Sequence, residues 1–114
     1  MTILAESGIK DAKIRFKMLN GKCDRLADCV GNVFDIIGYM LVESERDGEI
    51  ATILDLYTAD GRAIGTNSAT VRRTFEAMVE SFGEPTEESP LTGVVVISKP
   101  SAKGRSFLDI DFSE

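Results

Sequence analysis

One amphipathic segment, residues 68–82, constrains the fold of this chain more than any other feature. Its apolar side chains recur at helical spacing and form a single stripe: Val71, Phe75, Met78, Val79 and Phe82. Asn67 or Ser68 can cap the start of this helix, and Gly83 can end it. Because strand and turn patterns flank the segment on both sides, the sequence predicts one helix between a group of three strands and a group of two.

Three strands are expected before the helix, at residues 33–43, 50–58 and 62–66. Asp47-Gly48 and Asp60-Gly61 supply the hairpin turns between them. Gly38 lies inside the first strand and predicts a bulge or a bend there. A strand that bends in this way allows a sheet to curl into a small barrel.

The residues after the helix predict a hairpin. An exposed acidic loop at residues 84–89 leads into strands at residues 93–99 and 105–112. A helix between the third and fourth strands of five is the layout of the OB-fold, a small Greek-key barrel. We therefore expect a mainly β, α+β domain of this OB-like type over residues 1–114, with a β-grasp-like or other α+β sheet as the alternative.

The N-terminal third is predicted to add one strand to this barrel. Residues 13–19 alternate with a period of two, and their apolar and basic side chains fall on opposite faces: Ile14, Phe16 and Met18 against Lys13, Arg15 and Lys17. The basic face would suit an edge strand that must not pair with other chains. Residues 1–12 show no such pattern and are expected to be a loose lead-in. Residues 22–31 fit a single helical turn and an irregular chain equally well.

The composition narrows the class of protein. With 114 residues, 43% of them hydrophobic, the chain can bury a core without metals or disulfides. No apolar run approaches the roughly 20 residues of a membrane-spanning helix, and no signal peptide is visible, so we expect a cytoplasmic protein. Cys23 and Cys29, in a chain without histidine, favour buried free thiols over a zinc site.

The sequence offers little support for catalysis. The usual base near neutral pH, histidine, is missing, no Ser or Cys nucleophile has a partner base, and the glycines are scattered singly. Asp109 and Asp111 share a strand face and could bind a divalent metal, but solvated turn and edge positions account for such carboxylates more simply. We expect a protein without enzymatic activity, metal or cofactor.

Several side chains instead suit a surface for single-stranded nucleic acid, which needs aromatic faces for base stacking and a basic path for the backbone. Tyr39 and Tyr57 are expected on adjacent strands, and Phe107 faces away from the apolar side of its strand. The basic candidates follow the second hairpin or surround the last one: Arg62, Lys99, Lys103 and Arg105. The plainer alternatives are packing at the barrel rim for the tyrosines, packing under the N-terminal segment for Phe107, and a charged hairpin tip.

Three segments resemble small phage-encoded single-stranded-DNA-binding proteins. A strand pair ends in Thr58-Ala59-Asp60-Gly61, residues 66–68 lead into the helix, and the chain closes with the hairpin from Lys99 to Phe107. The similarity covers residues 32–112 and implies an OB-like domain that coats single strands during phage DNA replication or recombination, in the cytoplasm of the host cell. It also implies DNA contacts at four positions: Lys99, Lys103, Arg105 and Phe107. A homodimer or higher oligomer would extend such a site.

The uneven charge of the chain suggests an alternative function. The net charge is −6, and residues 43–61 contain six acidic side chains and one basic side chain. Such acidity argues against strong nonspecific binding of duplex DNA, whose affinity comes largely from phosphate attraction. A small acidic phage protein could instead inhibit a host DNA-binding or defence protein by direct contact or DNA mimicry, presenting the carboxylates of residues 43–60 and 84–88.

Overall fold

A computed structural model describes residues 1–114, which form seven strands and two helices. The elements are β1 (Thr2–Ser7), α1 (Ala12–Leu19), β2 (Asp24–Arg25), β3 (Val33–Arg46), β4 (Glu49–Thr58), β5 (Ala63–Thr66), α2 (Ala69–Phe82), β6 (Leu91–Pro100) and β7 (Ser106–Phe112). A 3₁₀ turn at Leu26–Cys29 follows β2. Neither helix is long and apolar enough to cross a membrane.

The predicted long helix is confirmed as α2. The hydroxyl oxygen of Ser68 accepts a hydrogen bond from the Val71 N–H at 3.2 Å, and Gly83, with a φ of +91°, ends the helix. The predicted stripe faces the sheet at Val71, Phe75 and Met78, which are buried, whereas Phe82 at its end is 64% exposed. The predicted order of three strands, a helix and two strands is therefore confirmed in β3 to β7.

The seven strands form one curled sheet with the shape of half a barrel. Their order is β2-β5-β4-β3-β6-β7, and β1 pairs with β3 on the same side as β6. All pairs are antiparallel except that of β2 with β5. Because β5 and β7 do not pair, the sheet stays open between them and does not close into the expected five-stranded barrel.

A bend divides β3 between two sets of neighbours. Its first part, from Val33 to Ile36, pairs with β6, and its later part, from Tyr39 to Glu43, pairs with β1. The pairing with β4 shifts register between Ile36 and Gly38, which confirms the predicted bulge. Glycine is required at this position, since a Cβ on Gly38 would lie 2.8 Å from the carbonyl oxygen of Ser7.

Residues 13–19 form a helix and not the predicted strand, since they belong to α1. The Asp11 side chain caps this helix by accepting hydrogen bonds from two N–H groups of its first turn. Ile14 and Met18 are buried, whereas Phe16 between them is 58% exposed. An alternating pattern also places apolar residues four positions apart, which fits one face of a helix as well as one face of a strand. The Asp11 cap and the helix-favouring Ala, Lys, Arg and Met residues decide in favour of the helix.

The first residues form a strand in place of the expected loose lead-in. β1 pairs with β3 from Thr2 to Ser7 and covers an edge that would otherwise expose unpaired backbone groups. The ambiguous residues 22–31 contain β2 and then the 3₁₀ turn. Of the two alternatives left open by the sequence, the single helical turn is therefore the one found.

Two buried clusters lie on opposite faces of the sheet. The larger cluster packs between the sheet and α2 and includes Tyr39, Leu56 and Phe75. The smaller cluster lies under α1 and consists of Ile14, Met18, Met40, Val42 and Ala63. Tyr39 and Met40 belong to different clusters because successive side chains of a strand point to opposite faces. The turn of the β6–β7 hairpin lies outside both clusters, with residues 102–107 all exposed.

Candidate nucleic-acid interface

The β6–β7 hairpin brings together four of the residues that the sequence suggested for nucleic-acid binding. Lys99 and Phe107 are direct cross-strand partners, and Lys103 and Arg105 lie in the turn between the strands. The turn is closed by a hydrogen bond of 2.6 Å from the N–H of Ser101 to the carbonyl oxygen of Arg105. We call Lys99, Lys103, Arg105 and Phe107 the hairpin surface.

The hairpin surface combines an aromatic ring with free positive charge. Phe107 is 38% exposed, although its side chain is large and apolar. Lys103 and Arg105 are exposed, and neither belongs to the five ion pairs of the protein. An exposed ring beside unpaired cations is the arrangement that stacks a base and neutralises its phosphate.

Lys99 is held at the base of the hairpin by Asp109. Its Nζ lies 3.1 Å from Asp109 Oδ2, and the Thr74 hydroxyl of α2 donates to Asp109 Oδ1 at 2.7 Å. Burial raises the pKa of Asp109, but the hydrogen bonds from Thr74, a backbone N–H and Lys99 outweigh it, so this pKa lies below its ordinary value. The buried anion ties β7 to α2, and it neutralises much of the charge that Lys99 could offer a phosphate.

Tyr39 lies inside the larger buried cluster and not on the surface. It is 7% exposed, and its ring meets the Phe75 ring edge to face at a centroid distance of 4.9 Å. Burial, followed by the neighbouring Glu84 carboxylate, raises the pKa of its phenol. The packing alternative is the one found for Tyr39, so its ring offers no free face to a base.

Tyr57 lies on the opposite face of the sheet from Tyr39 and away from the hairpin surface. It packs against the smaller buried cluster and is partly exposed. The hollow beside it is lined by one amine, that of Lys10, and by three carboxylates, those of Asp11, Glu87 and Glu88. This excess of negative charge makes the position unfavourable for a phosphate backbone, because like charges repel.

Arg62 is engaged within the fold. Its Nη2 lies 3.2 Å from Asp24 Oδ2, and its guanidinium carbon lies 5.4 Å from the centroid of the Phe34 ring. The same nitrogen is 3.5 Å from the Sγ of Cys29, which, like Cys23, is a free thiol. These contacts join the β4–β5 turn to the 3₁₀ turn, so Arg62 has a structural role here and is not part of the hairpin surface.

A second basic and aromatic surface lies on α1 and was not predicted. Phe16 is 58% exposed and lines a shallow hollow with three lysines: Lys13, Lys17 and Lys22. We call these four residues the α1 patch. The strand prediction concealed it by placing Phe16 on a buried face. Asp11 before the segment and Asn20-Gly21 after it, which are capping signals of a short helix, could have revealed it.

Asp55 is a buried carboxylate outside both surfaces. It is 2% exposed, and its Oδ2 has no hydrogen-bond partner. Burial raises the pKa of Asp55 to about 6, opposed by a hydrogen bond from the Cys23 thiol. Burial also raises the pKa of Cys23 to about 12, so this thiol stays protonated and is a weak nucleophile. No group of three or more Cys, Asp and Glu side chains is placed to hold a metal ion.

The hairpin surface and the α1 patch therefore share one chemical character. Each places an exposed aromatic ring beside unpaired cations, on a chain whose net charge is −6. The other suggested residues, Tyr39, Tyr57 and Arg62, are used in packing or lie elsewhere. Comparison with protein families, curated proteins and solved structures finds no match to this chain.

Proposed function

We propose that this protein binds single-stranded DNA through the hairpin surface and is not an enzyme. The observation that carries the proposal is the exposed Phe107 ring beside Lys103 and Arg105, two cations without ion pairs. Stacking on an aromatic side chain contributes about 1–3 kcal/mol per base, and phosphate neutralisation adds a term that depends on salt. Neither interaction reads base identity, so we expect little sequence preference.

The distribution of charge favours single strands over duplexes. Nonspecific affinity for duplex DNA comes mostly from many contacts between basic side chains and phosphates. A protein with a net charge of −6 offers few basic surfaces for such contacts. A flexible single strand needs only a short basic path with a ring beside it. The hairpin surface has this form.

The architecture supports the same function. We propose that the curled sheet is an open variant of an OB-like barrel and that the protein serves phage DNA replication or recombination. In OB-folds the loop between the fourth and fifth strands contributes to oligonucleotide binding. The β6–β7 turn occupies that place in the chain order. Assembly into a homodimer or higher oligomer would lengthen the site.

Replacing Lys103 and Arg105 together by alanine should weaken binding of a labelled oligo-dT strand roughly tenfold at low salt. Two fewer neutralised phosphates should also reduce the slope of log affinity against log salt by about 1.4. Phe107→Ala should weaken binding by about 5- to 150-fold and leave the salt slope unchanged. Fluorescence anisotropy during a salt titration measures all three effects.

Arg46→Ala is the matched control for charge loss. Arg46 also lies exposed at a hairpin turn and outside every ion pair, but between the acidic residues Glu45 and Asp47. Wild-type affinity and salt slope are expected for this variant. If the wild-type protein binds oligo-dT and the Lys103, Arg105 and Phe107 variants bind it equally well, the hairpin surface is not the site.

One observation favours the alternative function. The end of the β3–β4 hairpin carries Glu45, Asp47 and Glu49, which are exposed and outside every ion pair. Such a surface would suit a phage protein that inhibits a host DNA-binding or defence protein by DNA mimicry. Lack of oligo-dT binding at low salt, together with capture of a host DNA-binding protein that free DNA displaces, would favour this function over the first.

A further inference from the structure

The hairpin surface leaves the α1 patch without a role. α1 contacts β5, whereas the hairpin surface continues from β6 and β7, and β4 and β3 lie between them in the sheet. The two surfaces are therefore separate. We propose that the α1 patch is a second contact for the bound single strand, with a base stacked on Phe16 and phosphates on its three lysines. This inference rests on the proposed function and extends the path of the DNA.

The packing of α1 turns the Phe16 ring outward. Ile14 and Met18 are 5% and 1% exposed, respectively, and anchor the helix against the sheet. Phe16 is two residues from each of them, or about 200° around the helix axis, and so points away from the sheet. The 58% exposure of its side chain follows from this geometry.

The helix also places the lysines beside the ring. Lys13 and Lys17 are exposed and lie about 60° and 100° from Phe16 around the helix axis, on the same side, so they form a basic edge beside the ring. The Asn20 side-chain amide donates to the carbonyl oxygen of Phe16 at 2.8 Å and stabilises the last turn. The N–H of Lys22 donates to the carbonyl oxygen of Lys17 at 2.9 Å, which folds the chain back beside the helix.

The three lysines are free to meet an anion. None of them belongs to the five ion pairs, and no carboxylate lines the hollow that they share with Phe16. Arg15 of the same helix differs, since its guanidinium donates two hydrogen bonds to the Glu6 carboxylate. The α1 patch is therefore locally positive on a protein whose net charge is −6.

A nucleic-acid strand fits this surface better than a lipid membrane. A single exposed ring is ordinary by itself, and the other large apolar residues of α1 are turned mainly towards the sheet, which leaves no wide apolar face to enter lipid. Base stacking needs only one ring, and the neighbouring phosphates of the strand need cations beside it. The combination of both in the α1 patch points to a strand of nucleotides.

Phe16→Ala should weaken binding of an oligo-dT strand of about 30 nucleotides by about 5- to 150-fold. The double variant Lys13→Ala/Lys17→Ala should reduce the salt slope by about 1.4. Arg15→Gln is the matched control, because it removes one charge from the same helix at a side chain already bound to Glu6. It should bind as the wild type does. Circular dichroism confirms that each variant is folded.

The outcomes separate this inference from the proposed function. Loss of affinity in the α1 variants and in the hairpin variants supports the second contact. Loss in the α1 variants alone overturns the hairpin site and leaves the α1 patch as the DNA contact. Wild-type affinity and salt slope in the α1 variants, with weaker binding in the hairpin variants, overturn the second contact and leave the hairpin site standing. Absence of oligo-dT binding by the wild type overturns both. If Phe16→Ala weakens binding to phosphatidylserine vesicles but leaves oligo-dT binding unchanged, the α1 patch is a membrane contact and the proposed DNA contact is overturned.

Discussion

Replacing Phe75 by alanine should lower the free energy of unfolding by about 3–5 kcal/mol. Phe75 is 2% exposed, and its ring meets Tyr39 edge to face within the larger buried cluster. Removal of the ring leaves a cavity that side chains held on the strands and on α2 can fill only in part. A domain of this size is stable by only about 5–15 kcal/mol, so the substitution would remove about a fifth of its stability at the least and all of it at the most.

Urea denaturation followed by far-ultraviolet circular dichroism measures this loss. Phe82→Ala is the matched control, since it is the same substitution on the same helix at a ring that is 64% exposed. A loss of about 1 kcal/mol is expected there, from the edge contact of Phe82 with Phe112 at a centroid distance of 5.2 Å. Equal losses of stability in the two variants would contradict the conclusion that Phe75 packs α2 against the sheet.

Asp55 should make the protein less stable as the pH rises. Burial raises the pKa of Asp55 from 3.8 to about 6 in the folded state, so between these values the folded protein holds more protons than the unfolded chain. The contribution of protonated Asp55 to the free energy of unfolding is fully present below the ordinary pKa of 3.8 and is lost as the pH rises through about 6. A shift of about two pKa units corresponds to about 3 kcal/mol in total.

The pH dependence is best measured by urea denaturation at about pH 5 and about pH 7.5. The pKa values of Glu6 and Asp109 are lowered, so both carboxylates stay ionised in the folded protein over this interval. The free energy of unfolding should fall by about 1.4 kcal/mol between the two pH values. Asp55→Asn should abolish this fall, whereas Asp47→Asn, in an exposed turn, should preserve it. If the free energy of unfolding of Asp55→Asn falls as much as that of the wild type, the pH dependence arises from another group.

The candidate site was predictable where the chain itself brings residues together. Lys99 and Phe107 need only a turn to become cross-strand partners, so the hairpin surface followed from local sequence. Tyr39 and Tyr57 were correctly expected on adjacent strands, but they point to opposite faces. The register of this hairpin runs without interruption from its turn to the pair of Gly38 with Tyr57, so Tyr39 lies opposite Leu56 and one position away from Tyr57. Neighbouring positions of a strand point to opposite faces, and this separates the two rings.

The sequence by itself determined α2, the hairpin turns and the strands from β3 to β7, because helical period, capping and turn chemistry involve residues close in the chain. Only the tertiary structure decided that β1 is a strand, that Phe16 is exposed while Ile14 is buried, and that β5 and β7 leave the sheet open. Each of these outcomes depends on pairing or packing between residues far apart in the chain. A local pattern records which side chains are apolar, but not which partner will cover them.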